Sequence, residues 1–464
     1  MKMITPKLLV ATLALAGFAA NAQTPVYTAQ GFQNALTAAA TSGGANTIVL
    51  YDSQNGGYYS GNFNYNSAAN YNLTIQAASD DITIDGGGVG RGLTITSSGS
   101  GSGPGQSGAV TVSGITFLRN CGSDTIGALR IAAASGGTIN VSQCNFLSPA
   151  TGEGMGLEIA SGGNADIIGC YFIGKTNGTS ANYDGDGISI AGVTENTLIQ
   201  GCTLSGNYVG WGAYITASAV LTVADNVFQT NYYGGLSFDP SGTELAQVFV
   251  TNNVFYGNKE DEGADIVNFN TLNISNNFFS GNPGGGLEVE TGVMVTNTGN
   301  TFIGNGAGGL YFEGIKMAIS TGNTFSGNYQ SYGGGGEFQS VTTNILVGNT
   351  FSGNSSYYDG GGAYFSSCPY LTVSNNTFSA NQVDAGSGGA VYITGSGVAL
   401  ATVIGNNFTA NFCSGNYSGG ALYITGVTNL ITQNTFQRNS SADGGGAIYD
   451  TAPVITMTDD HKEM

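Results

Sequence analysis

Charge, histidine and tryptophan are all scarce in this chain. Of 464 residues only ten are Lys or Arg, one is His and one is Trp, and 8% are charged. Ten cations against 29 Asp and Glu leave a net charge of −19. Phosphate contacts need Lys and Arg gathered into patches, so nucleic acid is excluded as a partner, and an anionic membrane surface falls on the same ground. The only His, His461, stands near the C-terminus, which removes a His base. No Ser has a triad to lean on. The six Cys include no Cys-x-x-Cys pair, so they do not read as a zinc site. After the first two dozen residues no apolar run reaches the ~20 residues of a membrane span, and no transmembrane helix is expected in the mature chain. Disorder is excluded too, because it pairs low hydrophobicity with high charge, whereas 41% of this chain is hydrophobic.

What is abundant is Gly, 77 residues of it, and a repeat. Phe stands at 117, 146, 172, 228, 255, 279, 302, 325, 351, 378, 408 and 436, with Leu204 filling the one gap, at steps of 23 to 32 residues. Three places after these thirteen anchors an Asn occurs eleven times, from Asn120 to Asn439; Pro149 and Lys175 are the exceptions. Two places before the anchor a second Asn column runs unbroken from Asn226 to Asn434. Each repeat adds a Gly-started strand, such as Gly286-Leu287-Glu288-Val289, and a strand before the Asn column, such as Leu272-Asn273-Ile274. Three short strands per ~25 residues, parted by Gly, Asn and Ser turns, describe one coil of a parallel β-helix. Coils stacked at about 4.8 Å give a rod on the order of 60 Å. Stacked Phe rings fill its interior. The Asn columns read as amide ladders at coil corners, where Asn also tolerates the left-handed conformation.

The boundaries follow. Lys2 and Lys7, the apolar run Leu8 to Ala20 and the small residues Ala20 and Ala22 read residues 1–22 as a signal peptide. Residues 23–50 form an N-terminal cap and first strand: Phe32, Leu36 and Ala39 lie at helical spacing between Thr28 and Ala40. Residues 51–452 are the β-helix, with a Gly/Ser-rich surface insertion from Ser97 to Gly108, and 453–464 a C-terminal tail. Cys144, Cys170 and Cys202 occupy the column that later becomes Asn, so they are expected as a buried ladder of free thiols. Cys121, Cys368 and Cys413 read as loop positions.

Phe-x-x-Asn together with Gly-Gly-Ala-[Ile/Leu/Val], as in Gly388-Gly389-Ala390-Val391, Gly419-Gly420-Ala421-Leu422 and Gly445-Gly446-Ala447-Ile448, resembles the repeats of chlamydial-type polymorphic outer membrane proteins. The segment Ile82-Thr83-Ile84-Asp85-Gly86-Gly87-Gly88 also looks like the first coils of exported right-handed β-helix proteins. The resemblance covers residues 30 to 450 and implies an all-β, single-stranded right-handed parallel β-helix of about 13 or more coils with a short N-terminal capping helix. It further implies an exported, extracellular or cell-surface (outer membrane) passenger, adhesin-like or structural, without catalytic activity, whose partner is a glycan or a host or cell-surface protein. The family's C-terminal membrane barrel has no counterpart in this sequence.

Right-handed β-helices also include polysaccharide lyases and glycoside hydrolases, so the enzyme is the alternative. The Asp and Gly-His-Gly motifs of polygalacturonases are missing, and Arg91, Arg119, Arg130, Lys175, Lys259, Lys316 and Arg438 sit in different columns. No catalytic residue is assigned. One outward stripe stands out, Asp265, Glu288, Glu290, Tyr311, Glu313, Glu337 and Tyr364, on consecutive coils. Its first reading is a solvated face that discourages lateral aggregation; calcium or glycan binding comes second. Catalysis on the face around Glu288 to Glu337 comes third. No cofactor is expected apart from calcium, for which Glu288, Glu290 and Glu313, or Asp184 and Asp186 in a half calcium loop, offer oxygens. A converging groove with shifted pKa values would favour the enzyme, and a flat ladder face adhesion.

Overall fold

The computed structural model describes residues 23–52, 56–87, 90–99, 107–118, 127–148, 154–174, 185–208, 210–240, 246–395, 400–426, 428–451, 454–458 and 461–463. Residues 1–22, Cys121, Asp184 and most of the Gly/Ser-rich insertion lie outside them. Thr28 caps a helix, Ala29–Thr41, its hydroxyl oxygen accepting the Gly31 N–H at 3.0 Å. The helix buries Phe32, Leu36 and Ala39, and the Phe32 ring meets Phe63 at 4.7 Å and Tyr59 at 6.0 Å. That apolar stripe closes the open end of the first coil, as a terminal repeat must.

Beyond the cap the chain winds into stacked coils of short parallel strands. The Phe column lies at the centre of a 16-stranded sheet. Within it Phe302 pairs with Phe325, and Phe325 with Phe351, in register. The rings stack at 4.8 and 4.5 Å with planes within 7° of parallel, all fully buried. Leu204 fills its place between Phe172 and Phe228 as expected, also buried. The Gly-started strands and those before the Asn column belong to one 29-stranded sheet. In three consecutive coils the two kinds fuse into 12-residue strands, Ala264–Ser275, Leu287–Thr298 and Leu310–Thr321. There the coils are among the shortest, 23 to 24 residues from one Phe to the next. The segment read as a tail contains two further strands, Val454–Thr458 and His461–Glu463, which pair with the coil before them.

The amide ladders are present in both Asn columns. Asn282 donates its backbone N–H and its side-chain Nδ2 to Asn305 Oδ1, at 3.1 and 3.0 Å, and Nδ2 also donates to the Phe255 carbonyl at 3.1 Å. Each buried amide is thereby satisfied by the coils on either side. Left-handed geometry, however, falls one residue earlier than expected. Asn252, Asn276 and Asn375 have φ between 53 and 57°, as do Thr230, Ala380 and Arg438 before the other column. The ladder Asn itself is held by its hydrogen bonds, and its predecessor makes the corner.

Cys144, Cys170 and Cys202 are buried and free. Cys202 hands the column over to Asn, donating its N–H to Asn226 Oδ1 at 2.8 Å. Cys368 lies between the strands Ala363–Ser366 and Tyr370–Ser374, a loop position as expected, whereas Cys413 does not. Both are fully buried, and Cys413 belongs to the strand Phe412–Cys413. No helix among the described residues is long and apolar enough to cross a membrane.

Candidate active site

Parallel pairing brings all seven stripe residues onto one face. Asp265, Glu288, Tyr311, Glu337 and Tyr364 are successive register partners. Glu290 and Glu313 pair in the column beside them, which continues to Gln339. Neighbours between coils stand about 4.8 Å apart and neighbours along a strand about 7 Å, so carboxylates crowd each other in two directions.

The face is not flat. A cleft of about 290 Å³ opens where Glu262, Glu288, Tyr311 and Gln330 surround a floor of Gly284, Gly285 and Ala307. The two central coils turn through short glycine-rich corners, while their neighbours carry longer loops ending at Glu262 and beginning at Tyr329. Small corners between large ones leave the hollow. Gly308 is needed there: its φ is 92°, and a Cβ would stand 1.8 Å from the Gln330 side-chain oxygen.

Glu262 and Glu288 meet in the wall of the cleft. Glu262 is held well above the usual carboxylate range by burial first, then by repulsion from Glu288 and the hydrogen bond between them. Glu290 is raised by burial and by the same two effects from Glu288. Glu288 is the neighbour that Glu262 and Glu290 share. Asp265 is pushed up to about 7 by burial, with Glu288 and Glu290 adding repulsion. Glu337 also reaches about 7, through burial, although the hydrogen bonds from Gln339 and Gln330 pull the other way. Gln330 Nε2 donates to Glu337 at 2.7 Å, which leaves its buried Oε1 without a partner at the cleft. Tyr311 donates to Glu313 at 2.6 Å, and burial followed by that bond raises its pKa.

Burial of Asp265 and Glu337 has a pH signature. Each has a folded pKa near 7 against about 4 in the unfolded chain, so the unfolded state holds fewer protons between those values. Their contribution to stability is present below about pH 4 and is lost as pH rises through 7. The melting temperature is expected to fall between pH 5 and pH 8, and to fall less in Glu337→Gln. A melting temperature that rises over that interval in the wild type would contradict the arrangement.

Several site residues escaped the sequence reading. Glu262 closes the run Lys259-Glu260-Asp261-Glu262, conspicuous in a chain with 8% charge, but it precedes the Gly that starts the strand. Gln330 carries no signal short of the fold. The second strand position of the last four coils is Tyr each time, Tyr364, Tyr392, Tyr423 and Tyr449, and this was legible. These rings stack at 4.8 to 5.4 Å. Tyr364 is therefore half-buried rather than exposed, with Tyr332 tilted against it at 5.0 Å. Ring faces turned towards each other are less open to a sugar ring. Arg91 and Arg130, assigned to different columns, converge on Glu158.

For metals, no group of three or more His, Cys, Asp or Glu among the described residues is arranged to hold an ion. Glu313 is engaged by Tyr311, and Glu288 by its two carboxyl neighbours. Asp186 Oδ1 accepts the Trp211 N–H at 2.8 Å.

Solved structures of similar shape include a mannuronic acid specific polysaccharide family 6 lyase from human gut microbiota, 14% identical over 92% of this chain and 91% of that one, TM-score 0.37. They also include the catalytic unit of a thermostable α-1,3-glucanase from Streptomyces thermodiastaticus, 13% identical over 98% and 70%, TM-score 0.29. A third is tailspike protein 3 of bacteriophage CBA120, 16% identical over 91% and 59%, TM-score 0.40. The chain spans about three fifths of the length of the tailspike chains it matches. At these identities the likeness is one of fold. Among curated proteins, none matches the chain.

The expectation of a non-catalytic, adhesin-like or structural passenger is corrected. The matched structures include a polysaccharide lyase and an α-1,3-glucanase. The physical reason is the cleft: converging carboxyl groups with raised pKa values stand where a flat, solvated ladder was expected. The family model for the right-handed β-helix region matches residues 104–279 and 262–440, which is most of the chain, and this protein belongs to that family.

Proposed function

We propose that this protein is a carbohydrate-active β-helix enzyme that hydrolyses a glycan whose reacting sugar is neutral. The observation that carries this reading is the hydrogen-bonded pair Glu262 and Glu288 in the wall of the cleft. A carboxyl group held protonated at neutral pH can deliver a proton to a glycosidic oxygen. Glu262 is given that role. Glu288, beside it in the wall of the cleft, serves as the carboxylate that stabilises positive charge on the sugar or draws a proton from water. The unpartnered Gln330 oxygen is an acceptor for a sugar hydroxyl. Glu337 and Gln339 position that amide rather than touch substrate.

A lyase is disfavoured by electrostatics. Its uronate substrate would bring a carboxylate into a cleft with no Lys or Arg in its lining, beside Asp265, Glu288 and Glu290. Like charges at these separations cost several kcal/mol at the effective dielectric of a protein surface. The export signal read at residues 1–22 and the likeness to outer membrane passenger repeats support action outside the cell, on a polysaccharide too large to enter it.

Incubation with a panel of neutral polysaccharides and polyuronates tests the reading. New reducing ends from a neutral glycan are expected. Unsaturated products from a polyuronate would replace it with a lyase, and no cleavage of any glycan would overturn it.

A further inference from the structure

The outward column that holds Glu288 does not begin there. Followed back through its register partners it reads Asp265, Ser237, Tyr214, Ser189, Glu158, Arg130, Thr94 and Asn64. Its N-terminal stretch has the opposite electrical character. Arg91 and Arg130 both pair with the single carboxylate of Glu158, Arg130 through Nε at 2.8 Å. Two guanidinium groups on one carboxylate leave a net positive charge, in a protein whose net charge is −19.

A second cleft, of about 310 Å³, opens beside them and is lined by Arg91, Asn62, Asn64, Thr94, Phe63 and Gly90. Arg91 Nε is buried there and has no hydrogen-bond partner. A buried N–H of a charged group without an acceptor is costly, and an oxyanion would relieve that cost. The turn that carries Arg91 is fixed from below. In the orientation that satisfies its amide, Asn62 donates to the carbonyls of Gly86 and Arg91 at 2.9 Å each. The nearby acid, Asp85, accepts from Tyr58 and from the Gly87 N–H, so it is already engaged.

We infer that this cleft is a binding site for the carboxylate of an acidic sugar, with Arg91 as its principal ligand and Asn64 and Thr94 as hydroxyl partners. The guanidinium presents a planar fork that matches a carboxylate, which a Lys could not do. Thr94, in this cleft, lies seven coil steps from Glu288, about 34 Å at the inter-strand spacing. One extended glycan chain could therefore carry its acid here while a neutral residue occupies the Glu262–Glu288 cleft. The inference shares the glycan ligand class with the proposed function but does not depend on cleavage.

Calorimetric titration with glucuronate, its methyl ester and inorganic sulfate tests it, performed on the Glu262→Gln protein so that turnover plays no part. Millimolar binding of glucuronate is expected, weakening with added salt, at least about tenfold weaker in Arg91→Gln, and undetectable for the ester. The ester comparison uses one protein, so a misfolded variant cannot mimic the result. Absence of glucuronate binding, equal binding of the ester, or unchanged binding in a folded Arg91→Gln variant would each overturn the inference. Sulfate binding as tight as glucuronate binding would reduce the cleft to a general oxyanion site and sink the sugar-acid assignment.

Discussion

Glu262→Gln and Glu288→Gln are each expected to lower kcat for glycan cleavage by about two to four orders of magnitude, the usual contribution of a positioned acid or base. Glutamine keeps the shape and a hydrogen bond, so the fold and KM should change little. The two variants should differ in their pH profiles. Burial is the larger cause of the raised Glu262 pKa and Glu288 the next; removing the charge at Glu288 therefore lets Glu262 lose its proton at lower pH. Residual activity of Glu288→Gln is expected to decline at a lower pH than wild type, whereas Glu262→Gln should lose its alkaline limb. Reducing-end assays across pH, with circular dichroism on each variant, separate these outcomes. Full activity in either folded variant would remove the pair from the mechanism.

The same pair shows why the site was only half legible. A parallel solenoid places residues one period apart in register, so Asp265, Glu288, Tyr311, Glu337 and Tyr364 could be aligned by counting from each Gly, and they are aligned. The Phe and Asn columns yielded to the same counting, and so did the cap, because helical spacing of Phe32, Leu36 and Ala39 needs no tertiary information. Loops between coils obey no period. Glu262 lies in such a loop and Gln330 in the two-residue strand Tyr329–Gln330 that begins a longer corner, and their approach to Glu288 depends on how far neighbouring corners protrude. Arg91 reaches Glu158 two coils away along the axis, a contact that no column predicts. Burial was the larger omission. Side chains on an outward face were taken as solvated, yet Glu337 is only 4% exposed because Gln330 and Gln339 fold over it. That shielding pushes Glu337 up to about 7.

Truncation of one ring in the Phe column should give the largest loss of stability. Phe325 is fully buried, and its ring lies 4.8 Å from Phe302 and 4.5 Å from Phe351. Phe325→Ala removes contacts to both neighbours and leaves a cavity that the strands above and below, pinned by amide ladders, cannot close. The Asn328 bonds on the next corner, to Asn354 and to the Phe302 carbonyl, hold the backbone in place around the hole. A cost of about 3–5 kcal/mol is expected. Because stability in a solenoid is a sum of coil and interface terms, the loss should also weaken cooperativity by uncoupling the two halves of the rod. Tyr364→Ala is the comparison, since its ring is half-buried and packs on Tyr332 and Tyr392 without sealing the core. It should cost clearly less, on the order of 1–2 kcal/mol. Urea unfolding followed by fluorescence and by circular dichroism measures both variants. Equal losses would mean that the interior column does not carry the stability assigned to it, while a second transition in Phe325→Ala alone would locate the break at that coil.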